Sequence, residues 1–319
     1  MSDGAGGLRA VDEVTITVLV DNYVDLLLPG DGRVTRPPLA RDGQILAETL
    51  LAEHGLSLLI DVRVGREQHT VLLDTGYSQD AMLRNADLLG VDMTRVEAVV
   101  VSHGHMDHTG GLGPLLERLP ESVPVVVHPD AFIEARFVEQ RNGARVKFPF
   151  TMRRDRLERA GAKFVESPTP TFLAADTVIV TGEVPRSTPF ERGMANALIE
   201  RDGQIERDTI ADDQAVIISL GGRGVVVVSG CAHSGIVNTV RYARELAGGQ
   251  PVVAVVGGFH LPGPEAASIV SQTVDALVGE SPALLGPMHC TGRYATERLR
   301  DALPDAFVLA SVGSTITVA

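Results

Sequence analysis

The chain reads Ser102-His103-Gly104-His105-Met106-Asp107-His108-Thr109-Gly110-Gly111 directly after an apolar run at residues 96–101. Three imidazoles and one carboxylate fall within its six residues 103–108. Nitrogen donors of this density, joined by one carboxylate, suit zinc, iron or manganese better than magnesium or calcium. A packed core would have to give each of these polar groups a buried partner. The stretch therefore predicts a metal site at the end of a buried strand.

Length and composition are those of a globular protein with a sizeable core. The chain has 319 residues, of which 44% are hydrophobic, and its mean hydropathy is +0.13. No apolar run approaches the ~18 residues that span a bilayer. The first residues lack the basic and apolar regions of a signal peptide. We expect a cytoplasmic protein with no membrane partner.

The net charge of −13 argues against nucleic acid as a partner. Proteins that bind nucleic acid concentrate Lys and Arg on one face to neutralise phosphates, and this chain has no basic run. Two bound dications would offset the negative field only locally. We therefore expect a small-molecule substrate, while the oligomeric state is left open.

Strand-like and helical segments alternate along most of the chain. The patterns predict strands at 56–64 and 69–73 and helices at 79–89, 112–119, 236–246, 264–278 and 296–303. Residues 129–211 are instead interrupted by prolines. We interpret 129–211 as a cap or insertion within one domain that spans residues 1–319.

Four histidines follow apolar strand-like runs at equivalent positions, namely His103, His233, His260 and His289. In sheets flanked by helices, ligands gather where strands end and loops begin. We therefore expect these residues to converge on one site. A single zinc needs three protein ligands, so the surplus of donors favours two metals ~4 Å apart.

The motif from Ser102 to Gly111, preceded by Leu72-Leu73-Asp74-Thr75-Gly76, resembles the metallo-β-lactamase superfamily. The resemblance implies an α+β fold, the αββα four-layer sandwich, with a dinuclear site at the edge of two sheets. It implies His103 and His105 on the first metal, Asp107 and His108 on the second, and His289 as the last ligand. It also implies that Asp74 orients the ligand loop.

Two departures from the common pattern of that superfamily change the expected ligands. The Thr-Gly-Asp that supplies a bridging carboxylate is replaced here by Ser229-Gly230-Cys231, and the His-Thr-x-Gly-His motif is absent. We therefore expect His233 to bind a metal. Asp213 and Cys231 are both open candidates for a ligand or for a group that supports one.

These departures match a narrower branch, the dihydropteroate-synthase-like metallo-β-lactamase proteins. The motifs that carry this resemblance are Val20-Asp21-Asn22, Ala52-Glu53-His54-Gly55-Leu56-Ser57, Gly230-Cys231-Ala232-His233-Ser234-Gly235, Gly257-Gly258-Phe259-His260-Leu261 and His289-Cys290-Thr291-Gly292. Together they cover nearly the whole chain.

Three functions follow from these patterns. The first is a hydrolase with two divalent metals, zinc or else manganese or iron, acting on a small phosphorylated or ester substrate. The branch resemblance implies an alternative of the methanopterin-biosynthesis type, in which a dihydropterin pyrophosphate joins an aminobenzene ribofuranosyl phosphate and pyrophosphate leaves. The third is a non-catalytic metal-binding sensor or scaffold.

Further residues are candidates for catalysis or substrate binding. We expect Asp107 or His260 to move the proton in the reaction. His54, Glu183 and Arg186 are candidate substrate contacts, Arg186 because a guanidinium suits a phosphate.

Overall fold

Two β-sheets pack face to face, and helices cover the outer face of each sheet. The structure is a computed structural model, and it describes residues 7–120, 122–261 and 267–319. The predicted α+β class with four αββα layers is confirmed.

The strands belong to two large and two small sheets. Within the described ranges they are, in chain order, β1 (Glu13–Val20), β2 (Val34–Thr35), β3 (Ala40–Arg41), β4 (Gln44–Ile45), β5 (Ser57–Val64), β6 (Glu67–Leu73), β7 (Ala98–Val100), β8 (Pro124–Val127), β9 (Arg136–Glu139), β10 (Arg145–Lys147), β11 (Lys163–Glu166), β12 (Thr171–Leu173), β13 (Val178–Val180), β14 (Ala197–Arg201), β15 (Gln204–Arg207), β16 (Ala215–Leu220), β17 (Gly224–Ser229), β18 (Val252–Gly258), β19 (Leu284–Met288) and β20 (Thr315–Val318). The first large sheet has the order β11-β8-β7-β6-β5-β1-β20-β2, and the second has the order β12-β13-β16-β17-β18-β19. The small sheets are β10-β9-β14-β15 and β3-β4.

Several helices lie in the crossovers that connect parallel strands. Those in the described ranges are α1 (Ala81–Leu89), α2 (Met106–Thr109), α3 (Leu112–Leu116), α4 (Arg154–Arg159), α5 (Ile236–Leu246), α6 (Ala267–Glu280) and α7 (Arg293–Ala302). In that part of the chain, none has both the length and the apolar character that crossing a membrane requires.

The predicted helices are present, and all but the helix at 236–246 have shifted ends within the described residues. Helix α1 stops at Gly90, whose φ of 74° is left-handed and suits glycine. Helix α7 begins three residues before the predicted start, because Gly292, with φ of 77°, turns the chain there. The first residues of the predicted helix 264–278 lie outside the described residues, and α6 is described from Ala267.

The main core lies between the two large sheets. Alternate residues of β1, such as Val14 and Ile16, share one buried cluster with Val226, Val228 and Val256 of the second sheet. The outer face of each large sheet is also covered, because it packs against helices. Strands β16 and β17 are consequently buried along their whole length.

Parallel pairing determines where the functional loops lie. Strands β6, β7 and β8 are parallel neighbours in one sheet, and β17, β18 and β19 are parallel neighbours in the other. The carboxyl ends of parallel strands share one edge of a sheet. Loops that follow β6, β7, β17, β18 and β19 can therefore meet at one rim of the sandwich.

The cap predicted at 129–211 includes strands that belong to the two large sheets. Within that range β11 joins the first large sheet, while β12 and β13 join the second. The separate four-stranded sheet is made of residues 136–147 and 197–207. Hydrogen bonding between strands distant in sequence decides this division, and the prolines do not mark it.

Candidate metal centre

Loops at the ends of five parallel strands bring the predicted residues together. Asp74 follows β6, His103 follows β7, and His233, His260 and His289 follow β17, β18 and β19. Asp74, His260 and His289 have φ values of 61°, 40° and 52°. Non-glycine residues seldom adopt this left-handed backbone, and such strain is typical of functional sites.

The first donor group consists of three buried imidazoles. His103 Nε2 lies 3.0 Å from His105 Nδ1 and 3.2 Å from His233 Nε2. Burial is the main cause that lowers their pKa, well below the usual range for His103 and His233 and to about 3 for His105. Three neutral imidazoles therefore point nitrogen atoms at one another, an arrangement that a cation between them would stabilise.

The second donor group adds a carboxylate. Asp107 Oδ2 lies 3.8 Å from His108 Nε2 and 3.5 Å from His289 Nε2. Burial alone would raise the pKa of Asp107, but His108 and His289 outweigh burial and lower it. Asp107 therefore contributes a negative charge to this group.

Asp74 forms hydrogen bonds that orient the loop of residues 102–108. Its Oδ2 accepts a hydrogen bond from His108 Nδ1 at 2.6 Å and another from Ser102 Oγ at 2.7 Å, while its Oδ1 accepts from Ser102 N. His103 Nδ1 lies 2.9 Å from Ser102 Oγ. These bonds occupy the Nδ1 atoms of His103 and His108, so both imidazoles turn Nε2 towards the site.

The charge of His108 also depends on the carboxylates beside it. Burial opposes its protonation, but Asp74 and Asp107 outweigh burial and raise the pKa of His108 to about 9.

Two cysteines lie beside the donor groups. Cys231 Sγ is 3.1 Å from His108 Nε2, and Cys290 Sγ is 3.6 Å from the carbonyl oxygen of Cys231. Cys231 is close enough to both His103 and His108 to share a metal with them, and it forms a further such set with His289 and Cys290. Cys231 thus lies where the common superfamily pattern would put a carboxylate.

The residues present fit bound metals. Each donor group holds its ligand atoms within 4.8 Å of one another. His289 Nε2 is buried and makes no hydrogen bond within the described part of the chain. A buried polar atom of this kind is costly unless something binds it. Imidazole, carboxylate and thiol donors together suit zinc, and iron or manganese are also compatible with the imidazoles and carboxylate.

A cavity of about 250 Å³ opens onto the donor groups. Its lining includes His54 and His260, with Phe148 and Met194 from the segments around the four-stranded sheet. His54 is exposed, and its Nε2 lies 3.5 Å from Asp107 Oδ2. The His260 ring lies 4.2 Å from that of His233, and burial is the main cause that lowers the pKa of His260 to about 4.

Three candidate residues lie away from the donor groups. Asp213 is buried and its Oδ2 accepts a hydrogen bond from Ser234 N at 2.8 Å, which holds the loop after His233. Glu183 is exposed, and Arg186 donates to the carbonyl oxygen of Thr209. Neither Glu183 nor Arg186 is among the described residues that line the cavity.

Sequence reasoning missed two supports of the ligand loops. Arg136, on β9, donates to Asp208 at 2.7 Å and to Asp212 at 2.8 Å, and Asp212 accepts from Gly104 N, which lies between His103 and His105. Asp21 accepts from His289 N at 2.9 Å. The Asp212-Asp213 pair was a visible signal for the first support, but no local pattern marks Arg136.

Comparison with known proteins shows the family of this chain. The family model described as the metallo-beta-lactamase superfamily matches residues 52–244. The chain belongs to the metallo-β-lactamase superfamily. A solved member, Tm1679, described as a metal-dependent hydrolase of the beta-lactamase superfamily, is 25% identical, with a TM-score of 0.70, and the match covers 96% of this chain and 98% of that one.

Two curated relatives come from Methanocaldococcus jannaschii. One is 7,8-dihydropterin-6-methyl-4-(β-D-ribofuranosyl)-aminobenzene-5′-phosphate synthase, 29% identical over 83% of this chain and 90% of its own length. The other is an uncharacterized protein, 30% identical over 84% of this chain and 94% of its own length. The resemblance to the synthase-containing branch is thereby confirmed.

Proposed function

We propose that this protein is a two-metal enzyme that joins a dihydropterin pyrophosphate to an aminobenzene ribofuranosyl phosphate. The observation that carries the proposal is the similarity to the archaeal synthase over 83% of the chain. Two adjacent donor groups on the floor of one cavity support it. Among the functions that the sequence predicts, this reaction is the alternative to hydrolysis.

The donor groups define which residues would hold each metal. His103, His105 and His233 would hold one, and Asp107, His108 and His289 the other, with Cys231 as a further donor beside His108. Bound divalent ions would neutralise the charge that develops on the departing pyrophosphate.

The chain's own side chains would carry the rest of the reaction. The arylamine nitrogen forms a bond to the methylene carbon of the pterin, the carbon–oxygen bond breaks, and pyrophosphate leaves with the electron pair. His260, whose lowered pKa keeps its imidazole neutral, takes the amine proton and passes it to solvent. Phe148 and Met194 cover the cavity with apolar surface, which disfavours attack by water.

Hydrolysis of a small phosphorylated or ester substrate is the second candidate function. It is favoured by the similarity to Tm1679, whose description names a metal-dependent hydrolase. The two candidates share the metal centre and differ in whether water or an amine attacks. Both reactions use small-molecule substrates. For either reaction, we place the protein in the cytoplasm.

One experiment separates the two reactions. Zinc-loaded protein is incubated with dihydropterin pyrophosphate, with and without the aminobenzene ribofuranosyl phosphate, and pyrophosphate and the coupled product are measured. We expect pyrophosphate and product in equal amounts, only when both substrates are present. His108→Ala should abolish product, while His69→Ala, which alters a histidine that pairs with Glu97, should not.

Two results would contradict the synthase proposal. Pyrophosphate or phosphate release that does not need the arylamine would favour the hydrolase. The absence of any turnover, combined with an absence of bound metal, would contradict both enzyme functions.

A further inference from the structure

The two cysteines of the chain lie together at the metal centre. Cys231 comes two residues after β17, and Cys290 comes two residues after β19. Cys231 is buried and Cys290 is partly exposed, and both line the cavity that opens onto the donor groups. Neither candidate reaction assigns a role to Cys290, although its thiol reaches this cavity.

Three ligand atoms form a compact set around these cysteines. The Sγ atoms of Cys231 and Cys290 and one ring nitrogen of His289 all lie within 4.8 Å of one another. Two thiolates bound to one tetrahedral zinc would lie roughly 4 Å apart, because zinc–sulfur bonds are about 2.3 Å long. The two sulfur atoms are therefore close enough to share a cation after small side-chain movements.

His289 connects this set to the second donor group. Its Nε2 lies 3.5 Å from Asp107 Oδ2, is buried, and makes no hydrogen bond within the described part of the chain. Such an atom is costly to bury unless something binds it. Because His289 belongs to both sets of ligand atoms, the two thiols extend the second donor group and do not form a separate site.

The fold leaves room for the Cys290 side chain next to Cys231. Strand β18 lies between β17 and β19, and its last residue, Gly258, pairs with Met288. A Cβ atom at Gly258 would lie 2.7 Å from Cys290 Sγ and 3.3 Å from the Cα atom of Cys231. Any side chain at this position would displace the Cys290 thiol. Glycine on the middle strand therefore allows the two cysteines to approach each other across it.

We propose that Cys290 is a ligand of the metal at the second donor group and that, together with Cys231, it makes this position selective for zinc over manganese. Thiolates favour softer cations such as zinc, whereas manganese and magnesium favour oxygen donors. Cys290 has this role only if the protein binds the two metals of the proposed function, whichever of the two reactions they serve.

Substitution of cobalt(II) for zinc tests the thiolate ligands. Cobalt(II) bound to a thiolate gains a sulfur-to-metal charge-transfer absorption in the near ultraviolet, and the chain has no cysteine besides these two. We expect Cys290→Ser to keep roughly half of the wild-type absorption per chain, and Cys231→Ser/Cys290→Ser to lose it. His105→Ala, which alters the first donor group and keeps both cysteines, should retain the wild-type absorption per chain.

Thiol alkylation provides a second measurement that needs no variant. Metal-free, zinc-loaded and manganese-loaded protein are treated with iodoacetamide, and the alkylation of each cysteine is followed by mass spectrometry of peptides. Because a thiolate bound to a metal is a poor nucleophile, we expect zinc to slow alkylation of Cys290 at least about tenfold. Manganese should leave the rate within about twofold of that in metal-free protein.

Each result decides one part of the proposal. Full cobalt absorption in Cys290→Ser, or equal alkylation of Cys290 with and without zinc, would overturn its assignment as a ligand. Equal protection by manganese and zinc would overturn the selectivity. Both measurements are made without substrate, so a protein that shows two thiolate ligands and forms no coupled product would support the ligand assignment while contradicting the synthase function.

Discussion

The Asp74 carboxylate determines which nitrogen of His108 faces the metal centre. It accepts a hydrogen bond from His108 Nδ1 at 2.6 Å and is itself fully buried. Groups that orient a metal-binding histidine typically contribute 10–100-fold to metal affinity. We expect Asp74→Ala to lose roughly that factor for one of two zinc ions, measured by competition with a chelator. Asp301→Asn, an exposed control, should bind zinc like wild type, and equal affinity in the two variants would contradict the assignment.

Asp213 makes the stability of the metal-free protein depend on pH. Burial raises its pKa from 3.8 to about 6, so the folded chain binds this proton more tightly than the unfolded chain. The stability that the protonated carboxyl contributes is present below pH 4 and is lost as the pH rises through about 6. The loss amounts to at most about 3 kcal/mol.

Substitution of Asp213 isolates this effect. Asp213→Asn stays neutral and keeps an acceptor for Ser234 N. In chelator-treated protein we expect its free energy of unfolding to exceed that of wild type at pH 8, with the difference vanishing near pH 4. Denaturant titration at both pH values measures the two free energies of unfolding. A difference between variant and wild type that does not vary with pH would contradict the assignment of this effect to Asp213.

At the residue scale, the structure brings the predicted donor residues together, whereas several residues that support them were not predicted. His103, His105, Asp107 and His108 stand in one dense motif, so their convergence is visible in local spacing. Asn22 contacts His289 from 267 residues away. A hydrogen bond over such a separation leaves no periodic pattern, which is why supports of this kind were missed.

At the scale of elements, the four-stranded sheet positions the loop that carries His103 and His105 through a buried ion network. Arg136 of β9 joins Asp208 and Asp212, and Asp212 bonds Gly104 N. Burial opposes ionisation of Asp212, but Arg136 outweighs burial and lowers the pKa of Asp212. The sheet therefore covers the cavity and also holds the loop between His103 and His105.

Removal of the Arg136 guanidinium should destabilise the fold strongly. Arg136→Met leaves two buried carboxylates without a partner, which typically costs about 3–5 kcal/mol. Arg145→Met, on the exposed neighbouring strand β10, should change the free energy of unfolding by less than about 0.5 kcal/mol. Denaturant titration compares them, and equal stabilities would show that the network is not needed.

Element types were more predictable than element partners. Runs such as 236–246 carry helical periodicity and have these same bounds in the structure. The division of 129–211 between three sheets depends on pairing such as β14 with β9, which joins residues about 60 positions apart. The hydrophobic pattern shows which face of a strand is buried, but it does not show which distant strand pairs with it.

At the scale of the whole molecule, each large sheet supplies part of both donor groups. The loop after β7 gives His103, His105, Asp107 and His108, and the second sheet gives His233 and His289. The two sheets share one core, so their relative position is fixed by packing. That one domain spans residues 1–319 remains a prediction from the sequence.

The metal content of the protein tests the central claim most directly. Zinc bound per chain is measured after dialysis against a zinc buffer, for wild type, His105→Ala and His289→Ala. Because each variant removes a ligand from a different donor group, we predict two zinc ions in wild type and one in each variant. A single zinc in wild type, or two retained in either variant, would contradict the account.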